Sequence, residues 1–184
     1  MAGHAWVLVG ASGSGKTSLA RGLVERIPGL SRALTCTTRA PRPGETEGRD
    51  YRFLDREAFE TLRLAGGLVE WTEYAGNRYG LPGDQFEALG ERDLVCVLDE
   101  PGVRHLRDLL GDSRVKAIRL KGPDPQLLHQ RMLGRGSGEN ETAARLHWEA
   151  TLTADRSIYD AELDTDRDFE SVLADLVALV ERCR

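Results

Sequence analysis

Cysteine is scarce in this chain: Cys36, Cys96 and Cys183 are the only three among 184 residues. An odd number at such wide spacing builds neither a disulfide framework nor a thiolate metal site, and it suits a reducing compartment. Positive charge is not in surplus either, since 25 Lys and Arg stand against 30 Asp and Glu. The net charge of -5 excludes bulk attraction to nucleic acid or to an anionic membrane as the working principle. A phosphate partner would have to be gripped by local arginines. Long hydrophobic runs are also missing. The start, MAGHAWVLVG, lacks a charged n-region, its apolar run is too short for a secretion signal, and no later stretch reaches the length of a membrane span. The expectation is one cytoplasmic domain, monomeric or homodimeric, whose partners are small molecules, with no nucleic acid and no membrane.

What is present alternates. Ala5 to Val9 is a short apolar run, and Lys16 to Ile27 shows helical spacing until Pro28-Gly29 stops it. Ala33 to Thr38, Asp93 to Leu98 and Val115 to Leu120 read as three further strands, with helical patterns at Val103 to Leu110 and Pro125 to Leu133. Alternation of this kind predicts an α/β fold with a parallel sheet flanked by helices. Between the second and third strands the texture changes: Tyr51 to Phe53 is strand-like, Arg56 to Leu64 helical, and Leu68 to Leu81 a hairpin turning near Gly76-Asn77. This insertion, about 39–92, predicts a small α+β lobe on a core of about 1–38 and 93–184. Glu139 to Tyr159 is a long polar helical pattern, and Phe169 to Arg182 an amphipathic closing helix.

Gly10 to Thr17, GASGSGKT, fits G-x-x-x-x-G-K-[ST] in full and sits between an apolar strand and a helix. In such a loop Gly10, Ala11, Ser12, Gly13, Ser14 and Gly15 present backbone N–H groups to a phosphate chain, and Ser18 at the helix start is expected among the nucleotide-binding residues. Lys16 reaches the β- and γ-phosphates, and the Thr17 hydroxyl can ligate Mg²⁺. A dinucleotide-binding reading from Gly13 fails at Ser18, where a third glycine belongs, and leaves Lys16 unexplained. Asp99 follows the apolar run LVCVL, where a phosphate-binding-loop protein keeps a carboxylate associated with its Mg²⁺, and Glu100 follows it. Carboxylates at strand ends also cap the next helix.

Two further arginine groups stand out. Arg131 and Arg135 are four apart on one helical face, ahead of the flexible Gly136-Ser137-Gly138 and then Arg145, which predicts a lid over about 131–147 that closes on a transferred phosphoryl group. Arg145 is also four from Glu141 and Glu149, so a solvated ion pair accounts for it as well. Arg39 stands two residues before Pro41 and Arg42 lies between Pro41 and Pro43, which push Ala40 and Arg42 toward extended backbone, with Tyr51 behind them; the two arginines suit the phosphate of an acceptor, or a solvated turn. Tyr79, on the far arm of the hairpin, offers a second phenol or ordinary hairpin packing.

The stretch TTRAPRPGETEGRDYRF, with the loop before it, LVEW and NRYG after it, and GRG in the lid, resembles the guanylate kinase family over nearly the whole chain. The resemblance implies a nucleoside monophosphate kinase fold and the reaction ATP + GMP to ADP + GDP, with Mg²⁺. It assigns Arg39, Arg42, Tyr51 and Tyr79 to the GMP phosphate, Glu70 and Thr35 to guanine, and Arg131, Arg135 and Arg145 to the lid. Three departures stand against the family pattern. Leu81-Pro82 replaces a hydroxyl after Tyr-Gly, Asp99-Glu100-Pro101-Gly102 contracts a segment with two aspartates so that one acidic acceptor contact is displaced or supplied by Glu100, and Asp164-Thr165-Asp166 replaces an adenine-contacting Asn-Asp. A kinase of the same fold acting on another nucleotide or a ribose phosphate is one alternative; a non-catalytic binding module is another.

Overall fold

The computed structural model describes residues 3–11, 14–74, 76–87, 89, 92–122 and 156–184. Its main sheet is built from β1 (Ala5–Gly10), β2 (Leu30–Arg32), β7 (Asp93–Val97), β8 (Val115–Lys121) and β9 (Ala161–Asp164). The order is β2-β7-β1-β8-β9, and every neighbouring pair is parallel. β1 is covered on both faces, which is why AWVLVG is apolar without interruption. Its alternation sorts the core in two. Ala5, Val7 and Val9 join Val103 and Leu106 of α3 (Glu100–Leu110), while Trp6 and Leu8 join Leu19 and Leu23 of α1 (Lys16–Arg26) and Leu173 and Leu176 of α4 (Phe169–Cys183).

A second sheet of four strands, in the order β4-β3-β6-β5, forms the inserted lobe from β3 (Cys36–Thr37), β4 (Arg52–Phe53), β5 (Leu68–Tyr74) and β6 (Asn77–Pro82). Helix α2 (Arg56–Leu64) covers one face; Asp55 caps it by accepting the Ala58 N–H at 2.7 Å, and Phe59 is its buried anchor. The hairpin closes on the pair Tyr74 and Asn77, with Gly76 at φ 73 supplying the left-handed turn.

Three expectations change in the structure. The strand expected over Ala33 to Thr38 is divided. Gly29, at φ 77, turns the chain straight out of α1, so Leu30–Arg32 pair with β7, and the Ala33 N–H still reaches Val95 O at 2.9 Å. From there the backbone changes partner, because Cys36 and Thr37 pair with β4 and β6 of the lobe. β9 is an addition to the expected strands. It is a short edge strand whose Glu162 and Asp164 face solvent, so it carries no apolar run. The helix expected to end at Tyr159 has only a 3-10 turn, Arg156–Ile158, among the described residues, and the rest of it, with the helix expected over Pro125 to Leu133 and the lid, lies outside them.

Candidate active site

The loop after β1 narrows at Gly10. A Cβ there would stand 2.6 Å from Leu120 O of the neighbouring strand, so no other residue fits without moving the sheet. Gly15 ends the loop at φ 89, and α1 then starts with no side-chain cap and no acidic residue in its first turn. Its leading N–H groups therefore point at the loop with the positive end of the helix dipole behind them. Lys16 Nζ donates to the carbonyls of Gly10 and Ala11, 2.6 Å each. The Ser14 hydroxyl is buried beside Gly10 with no hydrogen-bond partner among the described residues, and a phosphate oxygen is a group that would satisfy it. Ala11, Thr17 and Ser18 complete the described part of the loop and helix start, while Ser12 and Gly13 lie outside the described residues, as do Arg131, Arg135 and Arg145.

β7 lies beside β1, so Asp99 emerges at the same carboxyl edge of the sheet as the loop. It caps α3: Oδ1 accepts the Gly102 N–H at 2.9 Å. Burial raises its carboxyl, the cap bond opposes this, and the charge of Glu100 raises it further. Among the described residues no group of three or more acidic, His or Cys side chains could hold a metal alone. The Thr17 hydroxyl and the Asp99 carboxylate are oxygen donors that could contribute to a Mg²⁺ site in which substrate phosphates and water supply most of the ligands.

The structure brings Arg39, Tyr51 and Tyr79 together. The Arg39 guanidinium lies 5.5 Å from the Tyr51 ring centroid, and the two tyrosine rings meet edge-on at 6.4 Å. Glu45 organises the arginines. One oxygen receives Arg39 Nη2 at 3.0 Å, and the other lies 2.9 Å from the same nitrogen and accepts the Arg42 N–H at 2.8 Å. Burial works against the Arg39 charge, but the bonds and charge of Glu45 outweigh it and hold the guanidinium above its ordinary value. Burial, and then Tyr79, raises the Tyr51 phenol, so it remains a donor at neutral pH.

Glu70 faces α3. A Cβ on Gly102 would come within 3.0 Å of Glu70 Oε2, so the glycine makes room for the carboxylate. Burial, then the nearby Asp99, pushes Glu70 up to about 7. Regular alternation would set Leu68 and Glu70 on one face, but the register shifts between them. Leu68 instead packs over Gly80 with Phe59 on the α2 side, and Trp71 also meets Phe59, which leaves Glu70 on the α3 side. Thr35 leads into β3, its carbonyl accepting the Arg52 N–H at 2.9 Å. Glu100 is buried and accepts the Tyr159 hydroxyl at 2.5 Å. Glu45, Gly102 and Tyr159 did not emerge from the sequence. Glu45 stands three residues past Arg42, a local signal; the other two act only across the fold.

The guanylate kinase family model matches residues 2–183. The chain belongs to the guanylate kinase family. A guanylate kinase of Rubrobacter xylanophilus is 35% identical over 183 residues, 98% of this chain and 94% of that one. One from Rhodopseudomonas palustris is 41% identical over 142 residues, 76% of this chain and 64% of the other. The crystal structure of guanylate kinase from Anaplasma phagocytophilum superposes with a TM-score of 0.76 at 26% identity, covering 100% of this chain and 89% of that one. A gluconokinase from Sinorhizobium meliloti, at 15% identity and a TM-score of 0.55, shares the fold alone.

The departures from the family pattern have structural counterparts. Leu81 is fully buried in the cluster with Ala33 and Leu98, so that position of β6 is spent on packing. Thr165 is buried, and its hydroxyl donates to Lys121 O at 2.8 Å, pinning the Asp164-Thr165-Asp166 segment to the end of β8.

Proposed function

We propose that this guanylate kinase family member transfers the γ-phosphoryl group of ATP to the phosphate of GMP, yielding ADP and GDP, through the residues assembled at the carboxyl edge of its sheet. The loop of Gly10–Thr17 cradles the donor phosphates, with Lys16 leaving its loop carbonyls to meet charge that builds on the transferred group. Thr17 and Asp99 would hold Mg²⁺, which when bound neutralises phosphate charge. Arg39, Arg42, Tyr51 and Tyr79 hold the acceptor phosphate in line. Thr35 and Glu70 read guanine, Glu70 by accepting from N1–H and the 2-amino group. Glu100, whose carboxylate accepts the Tyr159 hydroxyl, supplies a further acceptor contact. Arg131, Arg135 and Arg145 close over the reacting phosphates. We place the protein in the cytoplasm as a monomer or homodimer with no nucleic-acid or membrane partner; among the described residues no helix is long and apolar enough to cross a membrane.

The observation that carries the acceptor assignment is the frame around Glu45, which holds one guanidinium against Tyr51 and one arginine backbone beside it. A coupled assay of ADP formation with GMP, dGMP, AMP, UMP, CMP and ribose 5-phosphate tests the whole reading. GMP is expected to be turned over far faster than AMP. AMP or ribose phosphate as the better acceptor would remove the guanine-reading role. In the same assay Lys16→Ala is expected to lower kcat about 10²- to 10³-fold, the scale of one lost electrostatic donor, while thermal melting moves little.

A further inference from the structure

Asp50 lies outside the groups that the reaction uses, yet its side chain is only 1% exposed in a surface loop, where a carboxylate ordinarily meets water. Its Oδ2 accepts the Thr46 N–H at 2.8 Å and Arg49 Nε–H at 3.3 Å. Its Oδ1 pairs with the guanidinium of Arg21, which projects from α1 and is itself 41% exposed. A second cation arrives from the main sheet. Arg32, at the end of β2, donates through Nη2 to the carbonyl oxygens of Arg49 and, at 3.0 Å, of Asp50. Burial first, and then the charge of Arg21, presses the Arg32 guanidinium below its ordinary value. Two arginines of the core thus hold one short piece of the acceptor loop, one by a buried carboxylate and the other by the backbone.

We propose that Asp50, Arg21 and Arg32 form a positioning clasp that sets the acceptor-phosphate loop against the helix of the donor site. Helix α1 opens with Lys16 and Thr17, and Tyr51 follows Asp50 directly. The clasp therefore fixes the spacing between the residues serving the two phosphates while touching neither substrate. In-line transfer needs that spacing, because misplacement by an ångström costs large factors in rate. Removing Arg21 leaves Oδ1 of this buried carboxylate without its cation, since Arg49 reaches only Oδ2, and Oδ1 can be rehydrated only by lifting the loop from α1. This inference rests on the assignment of the loop to the acceptor.

Initial rates of the full chain, with ATP and GMP each varied at saturating levels of the other, test it. Arg21→Gln is expected to raise the GMP KM about tenfold and to leave the ATP KM within about twofold of the parent, with Arg21→Lys restoring most of the loss. Arg32→Gln, which leaves the Asp50 charge paired, should move the GMP KM in the same direction and provides the readout if Arg21→Gln fails to fold. A merely structural role would lower kcat with the inactive fraction and leave both KM values in place, and that result overturns the clasp. So does an equal rise in both KM values. A parent protein that forms no ADP in response to GMP defeats the kinase reading itself, a different outcome from an active parent with indifferent variants.

Discussion

In its proposed guanine-reading role Glu70 has to be an ionised carboxylate, and its surroundings oppose that charge. Guanine offers two donors side by side, so the carboxylate must be charged to accept both. Burial and Asp99 hold its pKa at about 7, against 4.5 in water. Lowering the pH from 8 to 6 should therefore raise the GMP KM several-fold and leave the ATP KM nearly flat. Glu70→Gln separates this from the titration of the GMP phosphate, because whatever slope remains in that variant belongs to the ligand; an unchanged profile would remove Glu70 from guanine recognition. Stability moves the opposite way to recognition. Because the folded pKa lies above the unfolded one, the stability that the Glu70 proton contributes is fully present below about 4.5 and is lost as pH rises through about 7. Thermal melts of Glu70→Gln against the parent should show its relative gain at pH 8 and not at pH 4.

The acceptor loop and the start of α3 act as units. Glu45 frames both arginines, so Glu45→Ala should raise the GMP KM about tenfold without moving the ATP KM, in parallel with Arg42→Met. An ATP effect as large as the GMP effect would place the loop on the donor side. On α3, Gly102→Ala tests shape instead of charge. Alanine is a better helix residue, and Gly102 has no need of a left-handed backbone, so the helix itself gains. The new methyl must displace Glu70 or Leu98, each a few tenths of an ångström too close. The expected result is a raised GMP KM and a weaker GMP preference over AMP with melting unchanged or higher. Steady-state kinetics with both acceptors check it, and an undisturbed preference would show that Glu70 can retreat without cost.

At the scale of the molecule, Asp93 ties the far end of the sheet together. It is buried at the start of β7, where it accepts the His4 N–H at 2.8 Å, Trp6 Nε1 at 3.2 Å and Arg184 Nε at 2.7 Å. Burial alone would raise its carboxyl, but the bonds from His4, Arg184 and Trp6 and the Arg184 charge together hold it below its ordinary 3.8. That stability is present above about 3.8 and is lost as pH falls through the lowered value. Asp93→Ala, which leaves these donors without an acceptor, should cost about 2–4 kcal/mol in denaturant titrations at pH 7. Both KM values should hold, because the site lies at the opposite edge of the same strands. Loss of GMP affinity in this variant would mean that the two edges are coupled.

The sequence by itself determined the phosphate loop, the helices beginning at Lys16, Arg56 and Phe169, and the family, because each is written in contiguous residues whose short-range geometry needs no distant partner. GASGSGKT needs only a strand before it and a helix after it, and TTRAPRPGETEGRDYRF shapes its own loop. Partner choice is different. Only the tertiary structure divided the strand at Ala33, since β7 and the lobe compete for the same backbone from opposite sides. It also placed the register shift that turns Glu70 toward Gly102; one residue of slip exchanges the faces of a strand, and nothing in LVEW marks the place. Asp99 became a helix cap and Glu100 the acceptor of Tyr159 for the same reason. A carboxylate at a strand end has several possible partners, and which one it takes is decided by what the rest of the chain brings within hydrogen-bonding distance.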